Sequence, residues 1–154
     1  MDDGRPAIVL EETHERWRWT RGYVENVADA LALAVMDERS AGRIYNVGEE
    51  ETLTESEWVR SIARAAGWSG EVVVLPKEAL PQALVEDYPY EHHLACDSSR
   101  IREELGYKER VHLDEWLRRT IEWERENPPA EIDEKQFKYA AEDEALAQAK
   151  EKSV

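Results

Sequence analysis

The sequence predicts an α/β fold, and three stretches carry that reading. Residues 16–35 (RWRWTRGYVENVADALALAV) change period part-way. Trp17, Trp19, Arg21 and Tyr23 alternate with Arg16, Arg18 and Thr20, as in a strand. Val24, Val27, Ala28, Leu31 and Val35 then fall on one helical stripe. Residues 43–48 (RIYNVG) read as a buried strand of Ile44, Tyr45 and Val47 that follows this helix after a short break at 37–42. That order is the αβ half of a parallel-sheet unit. Glu71–Leu75 (EVVVL) is the third stretch, a strand ended by Pro76 whose three consecutive valines predict burial on both faces.

The remaining elements follow in order. Residues 7–10 form a short apolar run after Pro6, which suits a strand, and 11–15 read as a polar turn. Residues 17–23 are the second strand and 24–36 the first helix. Thr54 and Glu57 have the spacing of a capping box, with Leu53 and Trp58 placed as a hydrophobic staple, so a helix starts at Thr54 and ends at Gly67. Its apolar face is Trp58, Val59, Ile62, Ala63 and Ala66. Residues 77–93 contain Pro81 and Pro89 and read as loop. Asp97 can cap a short helix carrying Ile101 and Leu105 and ended by Gly106. Leu113–Glu126 is a further helix with Leu113, Trp116, Leu117, Thr120 and Trp123 inward, stopped by Asn127-Pro128-Pro129. Two regions result: a domain over 1–129 and, over 130–154, a peripheral helix or mobile tail rich in Ala, Glu and Lys.

Composition narrows the function classes. The chain has 154 residues, 42% hydrophobic and 36% charged, which fits one globular domain with a modest core. No apolar run reaches the roughly 18 residues that would span a bilayer, and MDDGRP has no secretion-signal pattern. The single cysteine, Cys96, leaves no internal disulfide and suits a cytoplasmic location. The net charge of -15 argues against nucleic-acid and anionic-membrane partners. The dense basic cluster Arg16, Arg18 and Arg21 is large enough to neutralise one or two phosphates or carboxylates, or to pair with Glu11, Glu12 and Glu15.

Several chemistries find no pattern. The histidines at 14, 92 and 93 lack zinc-site spacing, so no metal is expected. Cys96 lies near His92 and His93, but nothing marks it as an activated nucleophile rather than a small buried residue. The seven glycines form neither G-x-G-x-x-G nor G-x-x-x-x-G-K-[ST].

Four motifs in order carry a resemblance: RGYVENVADALALAV, GRIYNVGEEETLTESEWVRSIARAAGW, CDSSRIREELGY and LDEWLRRTIEWERENPP. Together, over residues 16–129, they resemble the C-terminal, substrate-binding part of the NAD-dependent epimerase/dehydratase family, the extended short-chain dehydrogenases/reductases. The resemblance implies partial Rossmann-type sheet elements plus the smaller mixed α/β substrate-binding domain. It implies NAD or NADP for the complete enzyme, a Rossmann-domain partner, and a sugar-type epimerase, dehydratase or reductase reaction. The family's Tyr-x-x-x-Lys is not found: Tyr23, Tyr45, Tyr88, Tyr90, Tyr107 and Tyr139 are followed at the fourth position by Val27, Glu49, His92, Leu94, Val111 and Asp143. With the glycine-rich loop also missing, this chain is expected to bind no cofactor alone, to hold no catalytic residue and to be inactive alone. The resemblance places residues 1–4 just after a Rossmann portion, so a fragment or separately encoded half is expected. The other reading is a non-catalytic interaction module that forms a homodimer or binds a regulatory partner.

The same resemblance selects substrate-binding candidates: Arg18, Trp19, Arg21, Tyr23, Asn26, His92 and His93. Aligning the family pattern V-x-D-V-A on residues 24–28 puts Trp19 where a phosphate-binding Arg usually stands and Asn26 where an Asp usually stands. HHLACD replaces the expected R-x-G-D. The expected ligand is a small polar or acidic molecule, sugar derivatives included. Each candidate also has a structural reading: Tyr23 and the tryptophans as core or cleft wall, Asn26 as a helix cap, the histidines as loop surface.

Overall fold

A computed structural model describes residues 1–133 and 136–152. The elements are β1 (Ala7–Glu11), α1 (Glu12–Arg16), α2 (Val24–Met36), α3 (Glu55–Ala66), β2 (Glu71–Leu75), α4 (Ser99–Leu105), α5 (Leu113–Glu126) and α6 (Tyr139–Lys152). The architecture is α/β. β1 and β2 pair in parallel, from Ala7 opposite Glu71 to Glu11 opposite Leu75. Parallel neighbours need a long crossover, and helices α1 to α3 supply it.

The boundaries of α3 are local chemistry. Thr54 accepts from the Glu57 backbone N–H at 3.2 Å, and the Glu57 carboxylate accepts from the Thr54 N–H at 2.8 Å. Gly67 closes the helix in the left-handed conformation (φ +71°) that glycine adopts without strain. The Asp97 carboxylate accepts from the Ser99 N–H at 2.8 Å and starts α4.

Two clusters form the core around the helices. In one, Ala30, Ile101, Leu105 and Tyr107 are covered by Leu33, Ala34, Tyr45 and Val47. In the other, Val111, Trp116 and Leu117 are covered by Tyr23, Trp58, Ile62, Ala65 and Leu113. Asn26 links them. Its amide donates to the Val111 carbonyl at 2.8 Å and accepts from the Val111 N–H at 3.0 Å, while the Tyr107 hydroxyl donates to the Asn26 carbonyl at 3.2 Å.

The structure corrects several sequence expectations. Residues 11–15 do not form a polar turn, because the short helix α1 occupies 12–16. Residues 17–23 are extended but form no strand; they are tied by single bridges, Arg18 to Thr54 and Trp19 to Leu94. Residues 43–48 are likewise unpaired: Tyr45 and Val47 pack inward, while Ile44 is 81% exposed. The inward–outward alternation of a strand is there, without a neighbouring strand among the described residues. The valines of β2 are not buried on both faces, since Val74 is exposed in a two-stranded sheet. Thr120 and Trp123 point outward from α5.

The largest correction concerns α2. The apolar stripe of Val24, Val27, Ala28, Leu31 and Val35 is not the core face: all but Val27, which is half-buried, are exposed. The inner face is Asn26, Ala30, Leu33 and Ala34. This helix is apolar nearly all round, so periodicity alone could not orient it. Behind residue 130 the helix α6 docks on β1. Arg5 holds it, with its guanidinium 4.7 Å from the Tyr139 ring centroid and paired to Asp143 at 2.5 Å. Residues 134–135 and 153–154 of the expected tail lie outside the described residues.

Candidate functional site

The extended strap 17–22 crosses between two loops. On one side the Leu94 N–H donates to the Arg18 carbonyl at 2.9 Å, and the Thr20 N–H donates to the Leu94 carbonyl at 3.2 Å. On the other, the Glu49 N–H donates to the Arg21 carbonyl at 2.8 Å and the Glu55 N–H to the Trp17 carbonyl at 2.8 Å. Four backbone ties fix the direction of each side chain on the strap, as ladder bonds would in a sheet.

The alternation read from the sequence holds at this level. Trp17 is buried among His14, Tyr88 and Tyr90. Trp19 and Arg21 face a cavity of about 440 Å³ lined also by Glu49, Glu50, Glu51, Leu53, Trp58, Arg64, Glu109, His112, Leu113 and Asp114. That size and mixed lining suit a small ligand. Arg18 turns the other way, donating to the Thr52 carbonyl and lying 3.8 Å from the Glu57 carboxylate.

Arg21 is held on every side. Its guanidinium pairs with Glu55 at 2.8 Å and lies 4.3 Å from the Trp58 ring and 5.1 Å from the Trp19 ring. This contact fixes the two indoles at one end of the cavity. Glu55 already balances its charge.

Much of the remaining lining is acidic. Glu109 is paired with Arg102, whose hydrogen bonds hold the Glu109 carboxyl below its ordinary pKa. Arg102 also donates to the Gly48 carbonyl at 2.9 Å. Glu49 has one carboxylate oxygen buried with no hydrogen-bond partner. Burial, first, and the nearby Glu109 charge, second, raise the Glu49 pKa against the Tyr23 N–H and the Asn26 amide, which lower it. Glu50, Glu51 and Asp114 add further negative charge, and Arg64 reaches Asp114 only at 3.8 Å. A phosphate entering to roughly 5 Å from one such carboxylate would meet a repulsion of about 3 kcal/mol at an effective dielectric of about 20.

The seven candidate residues therefore separate. Trp19 and Arg21 line the cavity. Tyr23 stacks on Trp116 with centroids 5.6 Å apart and belongs to the core. Asn26 is 1% exposed with both amide atoms engaged; Tyr23, not Asn26, is the N-cap of α2. His92 offers its backbone carbonyl to the Trp17 indole N–H at 2.9 Å, and the His93 ring accepts from the Arg18 N–H at 3.3 Å. Both histidines sit outside the cavity lining. Glu49, Trp58, Glu109 and Asp114 escaped sequence reasoning. The run Glu49-Glu50-Glu51 directly after Gly48 was the available signal.

Among the described residues no group of three or more His, Cys, Asp or Glu is arranged to hold a metal ion. A pyrophosphate placed inside this cavity would face carboxylates, with Arg21 already paired to Glu55. No described helix is long and apolar enough to cross a membrane.

The class defined by the fold is α/β with a small parallel sheet. The chain superposes on the structure of RMD from Pseudomonas aeruginosa complexed with NADPH, with a TM-score of 0.56 and 16% identity over 79% of this chain and 37% of that one. No family model matches the chain. In sequence it is similar to the dTDP-glucose 4,6-dehydratase of Streptomyces niveus, 30% identical over 125 residues, covering 81% of this chain and 34% of the relative. It is similar to the dTDP-glucose 4,6-dehydratase of Streptomyces griseus, 33% identical over 92 residues (58% of this chain, 25% of the relative). A third relative is the UDP-N-acetyl-alpha-D-glucosaminuronate decarboxylase of Bacillus cytotoxicus, 28% identical over 104 residues (68% and 31%). These relatives are two sugar-nucleotide dehydratases and a sugar-nucleotide decarboxylase, and the chain spans a quarter to a third of their length.

Proposed function

We propose that this chain is the substrate-side portion of a sugar-nucleotide dehydratase or epimerase of the extended short-chain dehydrogenase/reductase kind. The cofactor loop and the Tyr-x-x-x-Lys pair belong to a Rossmann portion outside these residues. In the complete enzyme the nicotinamide would exchange hydride with the sugar. This chain's task is to hold and orient the sugar at the cavity beside Trp19 and Trp58.

The observation that carries the reading is the outer face of α2. Val24, Leu31, Val35 and Met36 are all more than 60% exposed on a helix whose other side is core, and Ile44 is also exposed. A bare apolar face of this kind marks an interface. The strand-like segment 43–48 has no neighbouring strand among the described residues, which suits the edge of a larger sheet. The Rossmann portion seats there.

Titration followed by the fluorescence of the six tryptophans tests the reading. The expected result is a response to dTDP-glucose at millimolar concentration or below and none to NAD+ or NADP+. Micromolar binding of either dinucleotide, or no response to the sugar nucleotide, overturns it. Sedimentation tests the interface: Leu31→Glu should abolish association with the Rossmann portion and leave the fold intact. A tight homodimer that uses the α2 face favours the interaction-module reading instead.

A further inference from the structure

We propose that the outer edge of β2 pairs antiparallel with the same edge of a second copy of this chain, across a two-fold axis at Val73. The inference does not depend on the sugar-nucleotide reading.

The ladder with β1 fixes which backbone groups are left over. The Glu71 N–H donates to the Pro6 carbonyl at 3.0 Å, and Ala7 stands opposite Glu71. Alternate residues of a strand face the same neighbour, so Glu71, Val73 and Leu75 bond to β1. Val72 and Val74 then aim their N–H and C=O groups the other way. Among the described residues no backbone or side-chain group bonds to them there. Val72 is half-buried and Val74 is 36% exposed. Unpaired groups on a strand edge are a template for another strand. Such edges are usually blunted by charges, prolines or bulges, and the run Val72-Val73-Val74 has none.

The edge is complementary to itself. A two-fold axis at Val73 sets Val72 opposite the second copy's Val74, and Val74 opposite its Val72. Both are residues with outward N–H and C=O groups, so each pair exchanges both of its N–H···O bonds. The valines also meet as cross-strand neighbours on one face. Pairing of this kind closes after two copies and leaves no further edge of β2 exposed.

Charge favours a second copy over an unrelated strand. Glu71 opens β2, and Lys77 follows it past Pro76. Both are exposed, and neither makes an ion pair among the described residues. The same register puts Glu71 opposite the second copy's Leu75, two positions from its Lys77. Long side chains span that diagonal. By symmetry the opposite end repeats the pair. Two chains of net charge -15 repel, so an interface between them needs opposite charges placed at the contact itself.

Sedimentation equilibrium over a wide concentration range tests the proposal. It is run on the Leu31→Glu chain, so that the α2 face does not contribute. The expected result is a concentration-dependent dimer. Val72→Pro, checked by circular dichroism, should weaken it at least about tenfold, because proline removes an outward N–H and leaves the β1 ladder intact. Glu71→Lys should weaken it too, and adding Lys77→Glu to that variant should restore it. A monomer at every concentration overturns the proposal, whether or not the edge captures some other extended segment. A dimer that survives folded Val72→Pro, ignores Glu71→Lys, or is not restored by the double exchange overturns it as well. None of these outcomes bears on the sugar-nucleotide reading.

Discussion

Helices α2 and α3 are nearly equal in length, 13 and 12 residues, yet their surroundings differ. α3 has a capping box, a left-handed glycine at its end and one apolar side packed on α5. α2 has no side-chain cap and is apolar on two sides, of which the described residues cover one. The contrast teaches that α3 is built for this chain alone, whereas half of the apolar surface of α2 is unused here. Its inner side belongs to this core, and its outer side is bare among the described residues.

Substitutions can break or sharpen that contrast. The largest loss is expected for Ile101→Ala beneath α2, where the side chain is 1% exposed. A drop of about 3–4 kcal/mol in urea unfolding is expected. Asn26→Ala should cost about 2–3 kcal/mol, because the Val111 N–H and carbonyl both lose their partner inside the core. Thr54→Ala removes half of the α3 capping box and should cost about 1 kcal/mol. Val35→Ser on the outer face should change stability by less than about 0.5 kcal/mol. A loss as large as that of Ile101→Ala would mean that the outer face is covered in the isolated chain.

A pH-dependent comparison gives the smallest effect. The Glu49 pKa is raised in the folded state, so its contribution to stability is full below the unfolded value and is lost as pH rises through the folded value. Glu49→Gln should therefore match the wild type near pH 4 and exceed it slightly at pH 7. Glu109 acts with the opposite sign. Its lowered pKa contributes stability above the unfolded value, lost as pH falls through the folded one. Glu109→Gln should thus destabilise at pH 7 and converge on the wild type in acid. Thermal melts at the two pH values check both.

Sequence reasoning worked where structure is local. Thr54, Glu57 and Gly67 bound α3, and Gly106 closes α4 with φ +75°. The parallel strand at Glu71–Leu75 was also legible, because Pro76 and the valines mark it without reference to its partner. It worked less well where a neighbour decides. Residues 43–48 have the pattern of a strand, but pairing depends on a second backbone. α2 could not be oriented because Leu31 and Leu33 look equally apolar, and only packing on Ile101 and Leu105 distinguishes them. In the site, Trp19 and Arg21 were legible from alternation on the strap. Glu49 and Trp58 were not, since they reach the cavity through the fold rather than through nearby sequence.

Gly48 has a mechanical role in this arrangement. A Cβ built there would lie 2.4 Å from the Thr20 methyl and 3.1 Å from the Arg21 carbonyl. Its backbone torsion does not demand glycine; the lack of room does. The residue acts as a spacer of zero thickness between the strap and the acidic wall, and so sets the gauge of the cavity. A single methyl group at position 48 would widen that gauge, moving Trp19 and Arg21 away from Glu49 without altering any residue that faces the ligand.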